Sequence, residues 1–253
     1  MNLLLRANSI GIEHPEIITR HQLSVTMDSE RVEDAITSMI VLCTHNDGGV
    51  GKTTLALHVA GSLQIKLSRI LVIDCDDQAD SWQFYSNSLP KQNKDIFLGD
   101  DISVIWNRKR EPIRRMVKPE QYDHVILDMD SALQHSVEMI LGSQPDIVLV
   151  PVNTSQKIKA LRNLSRTLNV VAQLAEKTGH SPKTIIVPLG VPIEDIQVVL
   201  QQTDLQNLNW RLAPSMPNLQ DLMQLALYQD RRYIWQYPGY EYLLNYFSDL
   251  LIL

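Results

Sequence analysis

The run Thr44-His45-Asn46-Asp47-Gly48-Gly49-Val50-Gly51-Lys52-Thr53-Thr54 constrains this chain more than any other stretch. It lies between a short apolar run, Met39–Cys43, and a helix-like run over residues 55–63. Strand, glycine-rich loop, Lys-Thr and helix, in that order, make the context of a phosphate-binding loop. Glycines let the backbone curl so that several N–H groups face one anion. The positive end of the following helix adds to them. Gly48, Gly49, Val50, Gly51, Lys52, Thr53 and Thr54 are therefore the candidate nucleotide-binding residues. Lys52 suits the β- and γ-phosphates, and the Thr53 hydroxyl suits Mg²⁺. Asn46 stands where the first glycine of the usual motif falls, but the six-residue core GGVGKT is intact.

The rest of the chain fits that start. Continuous apolar runs at 69–74, 124–128, 147–152 and 184–187 read as buried strands, with weaker candidates at 95–98 and 102–106. Helix-like stretches fall at 133–143, 158–178 and 193–203. The alternation predicts an α/β fold of the Rossmann-like P-loop type. Its mostly parallel twisted sheet is flanked by helices on both faces, with ligands at the carboxyl ends of the strands. Residues 1–38 keep no sustained period beyond a short helix at 29–36 and read as an N-terminal arm; residues 39–253 read as one P-loop domain.

Composition excludes several classes. The 253 residues are 44% hydrophobic and 21% charged, as in ordinary globular chains. A formal net charge of −6 argues against a globally basic nucleic-acid binder and leaves room for a local patch. The two cysteines, Cys43 and Cys75, fall in strand-like runs, which predicts reduced core thiols in a cytoplasmic protein. No apolar run approaches the ~20 residues of a membrane span, and Leu3-Leu4-Leu5 lacks the basic region of a secretory signal.

Two of the predicted strands end in aspartates. The first runs into Asp74-Cys75-Asp76-Asp77-Gln78; the second ends at Asp128. An Asp at the second position can hold Mg²⁺ opposite Thr53, and Asp76 can orient a water for attack on the γ-phosphate.

The blocks GGVGKTT, ILVIDCDDQAD, YDHVILDMDS and PDIVLVPVNTSQKIKAL together resemble the ParA/MinD family of deviant-Walker ATPases, in order and spacing, over about residues 39–230. The resemblance implies an ATP hydrolase with ATP and Mg²⁺ as cofactors. It also implies a homodimer formed on ATP binding and an adaptor protein that stimulates slow hydrolysis. The cargo would be a plasmid, chromosome or protein organelle, positioned on non-specific DNA or a membrane surface. A cytoplasmic, nucleoid-associated location follows from the DNA branch. Carried over residue by residue, Lys52 is the phosphate-binding lysine and Asp76 the water-orienting aspartate, both catalytic, with Asp76 also a metal-site residue beside Thr53 and Asp128. Thr53 and Asp128 are the metal-holding pair, and Asp74 and Gln78 belong to the nucleotide-responsive segment.

The departures are informative. Asp47 stands where the family has its signature lysine, so charge is inverted there. Such a carboxylate is expected to point away from phosphate: like charges ~4 Å apart repel by about 4 kcal/mol at an effective dielectric near 20. Lys157 and Lys159 are the candidate replacement cations. A subgroup that positions carboxysomes in cyanobacteria also lacks the signature lysine. Asp77 and Asp130-Ser131 replace prolines of the family pattern, and Pro188-Leu189 stands where many relatives have an adenine-contacting Asn.

Six cations in eleven residues, Arg108 to Lys118, form a candidate DNA stripe, with Arg231-Arg232 as a second. Tyr240, Leu243, Leu244, Phe247, Leu250 and Leu251 share one helical face. The last twenty residues hold no Lys or Arg, so that face is expected on its own domain rather than on anionic lipid. The alternatives are a membrane-surface positioning ATPase of the division-site branch and a nucleotide-binding scaffold without hydrolysis.

Overall fold

The computed structural model describes residues 39–65, 68–92 and 94–252. The arm expected at 1–38, with its helix at 29–36, lies outside the described residues. Eight strands form one sheet: β1 Met39–Cys43, β2 Ile70–Asp74, β3 Ile96–Leu98, β4 Ile102–Trp106, β5 His124–Asp128, β6 Ile147–Asn153, β7 Lys183–Leu189 and β8 Trp210–Leu212. Their spatial order is β3-β4-β2-β5-β1-β6-β7-β8. Every neighbouring pair is parallel except β3 with β4. That exception has a simple cause. Only residues 99–101 separate β3 from β4, and three residues can turn a hairpin but cannot make a parallel crossover.

Seven α-helices occur among the described residues: α1 Lys52–Gln64, α2 Asp80–Ser86, α3 Leu133–Ser143, α4 Lys157–Thr178, α5 Ile193–Gln201, α6 Gln220–Leu225 and α7 Leu243–Asp249. A π-helical turn, Ala226–Asp230, extends α6. The central strands are buried at every position of β2 and β5, which is why their sequences run apolar without alternation. On one face Leu42, Leu71, Leu127 and Val148 pack with Met139 of α3, Leu164 and Leu168 of α4, and Ile196 of α5. α1 packs with α2 and α7 as a second group. Both strongly periodic helices expected at 133–143 and 158–178 are present, at Leu133–Ser143 and Lys157–Thr178. α2, α6 and β8 are too short, and too mixed in composition, to show in the sequence pattern.

The C-terminal segment is fixed to α1 by one side chain. His58 lies fully buried on α1. Its Nε2 accepts the Ile234 N–H at 3.0 Å, so Nδ1 carries the proton and donates to the Thr54 carbonyl at 2.7 Å. The ring stacks on Phe247 at 4.8 Å and meets Trp235 edge-on at 5.4 Å. One turn further, Gly61 leaves space for the Tyr233 ring; a Cβ there would sit 2.4 Å from it. Leu243, Phe247, Leu250 and Leu251 are buried and Tyr240 and Leu244 half-buried, so the apolar face read from the sequence lies mostly against the fold. Among the described residues no helix is long and apolar enough to cross a membrane.

Burial holds the His58 imidazole neutral, with its pKa down from 6.5 to about 4; the hydrogen bond to Thr54 offsets only part of this. Unfolded, the ring takes up a proton near pH 6.5; folded, it refuses one until about 4. The stability it contributes is therefore whole above pH 6.5 and is lost as pH falls through that window. His58→Gln should flatten acid destabilisation between pH 7 and 4 by up to about 3 kcal/mol, measured by urea unfolding at each pH. Equal slopes in the two proteins would show that His58 is not the titrating group.

Candidate nucleotide-binding site

β1, β5 and β2 lie side by side in register, with Cys43 opposite Asp128 and Asp128 opposite Asp74. The row at their carboxyl ends carries the acidic half of the site. The loop leaving β1 carries the basic half. Val50 is buried, and Gly51 adopts φ 101, a left-handed backbone that favours glycine. A Cβ on Gly51 would also lie 2.6 Å from the Leu189 side chain. α1 then begins with Lys52, with no side chain capping its first turn and no acidic residue in it. Its first N–H groups and positive dipole end are thus available to an anion.

Lys52 is buried and donates from Nζ to the Asp47 carbonyl at 2.6 Å. Burial lowers its pKa, and Asp128, Asp76, Asp130 and Asp47 pull it back towards the charged form. The loop is held from outside by β6 and α4. Asn153 Nδ2 donates to the Gly49 carbonyl at 2.7 Å, and the Asn46 N–H donates to Thr167 Oγ1 at 3.3 Å. Asn153 gave no signal in the sequence beyond being a polar residue at a strand end.

Asp128 is fully buried. Ser81 donates its hydroxyl to Oδ2 at 2.8 Å, while Oδ1 is buried with no hydrogen-bond partner among the described residues. Burial pushes its pKa up to about 7; the Ser81 and Thr53 hydroxyls offset part of that, and Asp76 adds to it. An orphaned, desolvated carboxylate oxygen next to a hydroxyl is what a hard divalent cation satisfies. The residues present therefore fit Mg²⁺, which Asp128 and Thr53 would hold.

Asp74 has different partners from those a direct ligand would need. Its Oδ1 accepts the Asp76 N–H at 3.0 Å and its Oδ2 the Trp82 N–H at 2.9 Å. It thus satisfies a donor at the start of α2 and shapes the turn that carries Asp76. Burial and the facing Asp128 push its pKa well up. Asp76 accepts the Gln78 N–H at 2.9 Å and is half-exposed; Gln78 is exposed. Cys43 and Cys75 are buried and unbridged, with their thiol pKa values raised by burial, as expected of inert core thiols.

Asp47 is turned into the protein. It is 5% exposed, accepts from Asn163 Nδ2 at 2.9 Å, and lies 3.8 Å from Lys159 Nζ. Neighbouring His45 is buried and kept neutral, its pKa lowered to about 4 by burial and by Lys52. Lys157 pairs with Asp195 at 2.5 Å. The two candidate replacement cations therefore sit at the start of α4, one against Asp47 and one directed to α5. Ile158 between them is 84% exposed.

Of the basic stripe expected at 108–118, Arg110 leaves the surface, and Arg108, Lys109, Arg114, Arg115 and Lys118 are exposed. Arg108 lies 3.7 Å from Asp77, Arg110 turns inward, and Arg114 lies 3.5 Å from Glu120. Arg162 and Arg166 are exposed one turn apart on α4 and have no acidic partner among the described residues. They do not stand out in the sequence because they are spread along an amphipathic helix rather than clustered.

A profile of the CobQ/CobB/MinD/ParA nucleotide binding domain matches residues 41–228. The maintenance of carboxysome distribution protein A of Synechococcus elongatus is 26% identical over 174 residues, 54% of this chain and 66% of that protein, just under two thirds of its length. The apo structure of McdA from Cyanothece superposes with a TM-score of 0.67 at 18% identity, covering 85% of this chain and 99% of the other. The ATP complex of an aspartate-to-alanine variant of McdA from Cyanothece gives the same TM-score and identity over 85% and 95%. The cell-division ATPase MinD of Pyrococcus furiosus gives 0.63 at 16% identity over 85% and 98%. These superpositions support a P-loop fold of the MinD/ParA type. With the profile spanning well over half of its residues, the chain belongs to the CobQ/CobB/MinD/ParA family of nucleotide-binding domains.

Proposed function

We propose that this chain is a ParA-like ATPase. It binds ATP and Mg²⁺, dimerises on ATP, binds DNA non-specifically and positions a cargo through an adaptor that stimulates hydrolysis. The observation that carries the reading is the pairing of Lys52 and an uncapped α1 with the orphaned, buried carboxylate oxygen of Asp128. Residues 39–253 form the ATPase domain in this reading, with 1–38 as an arm, in a cytoplasmic, nucleoid-associated protein. The relatedness to a carboxysome-distribution protein supports a protein organelle as the cargo.

In this scheme Gly48 to Thr54 bind the phosphates. Lys52 exchanges the Asp47 carbonyl for a phosphate oxygen. Thr53 and Asp128 hold Mg²⁺, which when bound neutralises phosphate charge. Asp76 orients the attacking water, and Asp74 and Gln78 fix the turn on which Asp76 rides. The cleft between Leu189, Met216 and Met223, next to Gly51, takes the base on its apolar walls.

Three measurements test this. ATP turnover should be slow but measurable, and Asp76→Ala should lower it at least about 100-fold. No turnover under any condition, adaptor included, would leave a non-hydrolysing scaffold. Lys157 and Lys159 supply the cation that Asp47 cannot, so Lys157→Ala or Lys159→Ala should weaken ATP-dependent dimerisation in sedimentation analysis. If both variants dimerise and hydrolyse as wild type does, neither is the replacement.

DNA binding should require ATP and fall steeply with salt. Removing Arg162 and Arg166 together should reduce the slope of log affinity against log salt by about 0.9 per lost contact. An unchanged slope moves the DNA surface elsewhere, and ATP-independent binding to anionic liposomes would favour the membrane branch.

A further inference from the structure

Arg110 looks in the sequence like one member of an exposed basic run, yet its guanidinium is only 14% exposed. Nη2 lies 2.6 Å from Asp130 Oδ2 and 3.3 Å from Asp77 Oδ1. Nη1 donates to the Arg108 carbonyl at 2.7 Å. His135 Nδ1 approaches the same Asp130 Oδ2 at 2.7 Å. Asp77 directly follows Asp76, and Asp130 stands two residues beyond Asp128. One guanidinium from the loop after β4 thus joins the loop after β2 to the loop after β5. Those two loops carry the water-orienting and the cation-holding carboxylates.

The arrangement is not a relaxed surface ion pair. Arg110 has φ 54, a left-handed backbone that strains a residue with a Cβ. Its Nε is buried with no hydrogen-bond partner among the described residues, which is costly for a charged group. Strain and unsatisfied donors of this kind collect at functional sites. The acids it bridges are also the two that replace prolines of the family pattern. A proline stiffens a loop by fixing φ; here a charge-assisted bridge ties two loops to each other. Asp130 also acts electrostatically on Lys52, so an unpaired Asp130 would compete with phosphate for that lysine.

We propose that Arg110 is a positioning residue: it clamps the Asp76 loop to the Asp130 loop and so holds Asp76 in place relative to Lys52 and Asp128. This rests on the ATPase reading above. Both carboxylates meet the same nitrogen, Nη2, and Nη1 is tied to the Arg108 carbonyl, so the rigid guanidinium plane fixes where Nη2 stands; a lysine ammonium has no second group to anchor it in that way.

The test is single-turnover ATP cleavage, with nucleotide affinity measured in parallel, on wild type, Arg110→Ala, Arg110→Lys, Asp130→Asn, Asp76→Ala and the Arg110→Ala/Asp76→Ala double variant. Arg110→Ala should slow cleavage on the order of 10- to 100-fold, the cost of a misplaced group, with the Kd for ATP changed less than about threefold. Arg110→Lys should recover only part of the rate. Asp130→Asn keeps the side-chain shape, breaks the shorter arm and should slow cleavage in the same direction. With Asp76 already removed, Arg110→Ala should add nothing.

The clamp is overturned if Arg110→Ala leaves the rate unchanged, if it costs the same factor with and without Asp76, or if rate and affinity fall in proportion. Hydrogen exchange of segments 75–79 and 129–133 separates this from failure of the ATPase reading. If wild type never cleaves ATP, that reading fails. The clamp then stands only if Arg110→Ala raises exchange in both segments together, and falls if either stays unchanged.

Discussion

A carboxylate buried in the middle of a parallel sheet sets the terms for the rest of this structure. Asp128 lies on the strand between β1 and β2, with no solvent contact and one oxygen unpaired. A group in that position destabilises the fold unless it is protonated or finds positive charge. Lys52 supplies that charge only in part, and the Ser81 and Thr53 hydroxyls add hydrogen bonds but no charge. The fold therefore holds an unmet demand for a cation at the place where a helix start offers unmet donors to an anion. A divalent ion bound with a phosphate chain answers both demands at once, and this complementarity is the physical content of the nucleotide-binding assignment.

How much of this was legible in the sequence depended on what each residue had to do. β5 reads as a strand because burial on both faces favours apolar side chains without alternation, and Val125, Ile126 and Leu127 are consecutive. α4 reads as a helix because one face must be apolar and the other not. The glycine loop reads as a phosphate cradle because Gly51 needs a backbone that other residues resist. Residues whose role depends on tertiary approach left no such mark. Ser81 reaches Asp128 across 47 positions, and Asn163 reaches Asp47 across 116. Arg110 was misread for the same reason. Local charge density suggests an exposed stripe, and only the meeting of three loops turns the side chain inward.

The acidic departures from the family pattern are each answered by a residue distant in sequence. Asp47 is taken up by Asn163 and Lys159, and Asp77 and Asp130 by Arg110. None of the three points unpaired into the space above the loop. An acid introduced near a phosphate site is tolerable when its field is neutralised inside the protein. In each case here the neutralising partner comes from a different element. The loops around the site are thus linked to one another and to α4 by charge, where a proline-rich version would rely on local stiffness.

The attachment of the C-terminal segment to His58 bears on how the chain acquires its shape during synthesis. α1 starts at the phosphate loop and leaves the ribosome well before Tyr233, Trp235 and Phe247, which cover the surface behind it. Until those residues emerge, the helix has an uncovered apolar flank and His58 lacks its amide donor. The two partners are 176 residues apart; at ~5–20 residues per second, roughly nine to thirty-five seconds of translation pass between them. A nascent protein interrupted before residue 233 would thus carry the whole phosphate loop on a helix that lacks its backing.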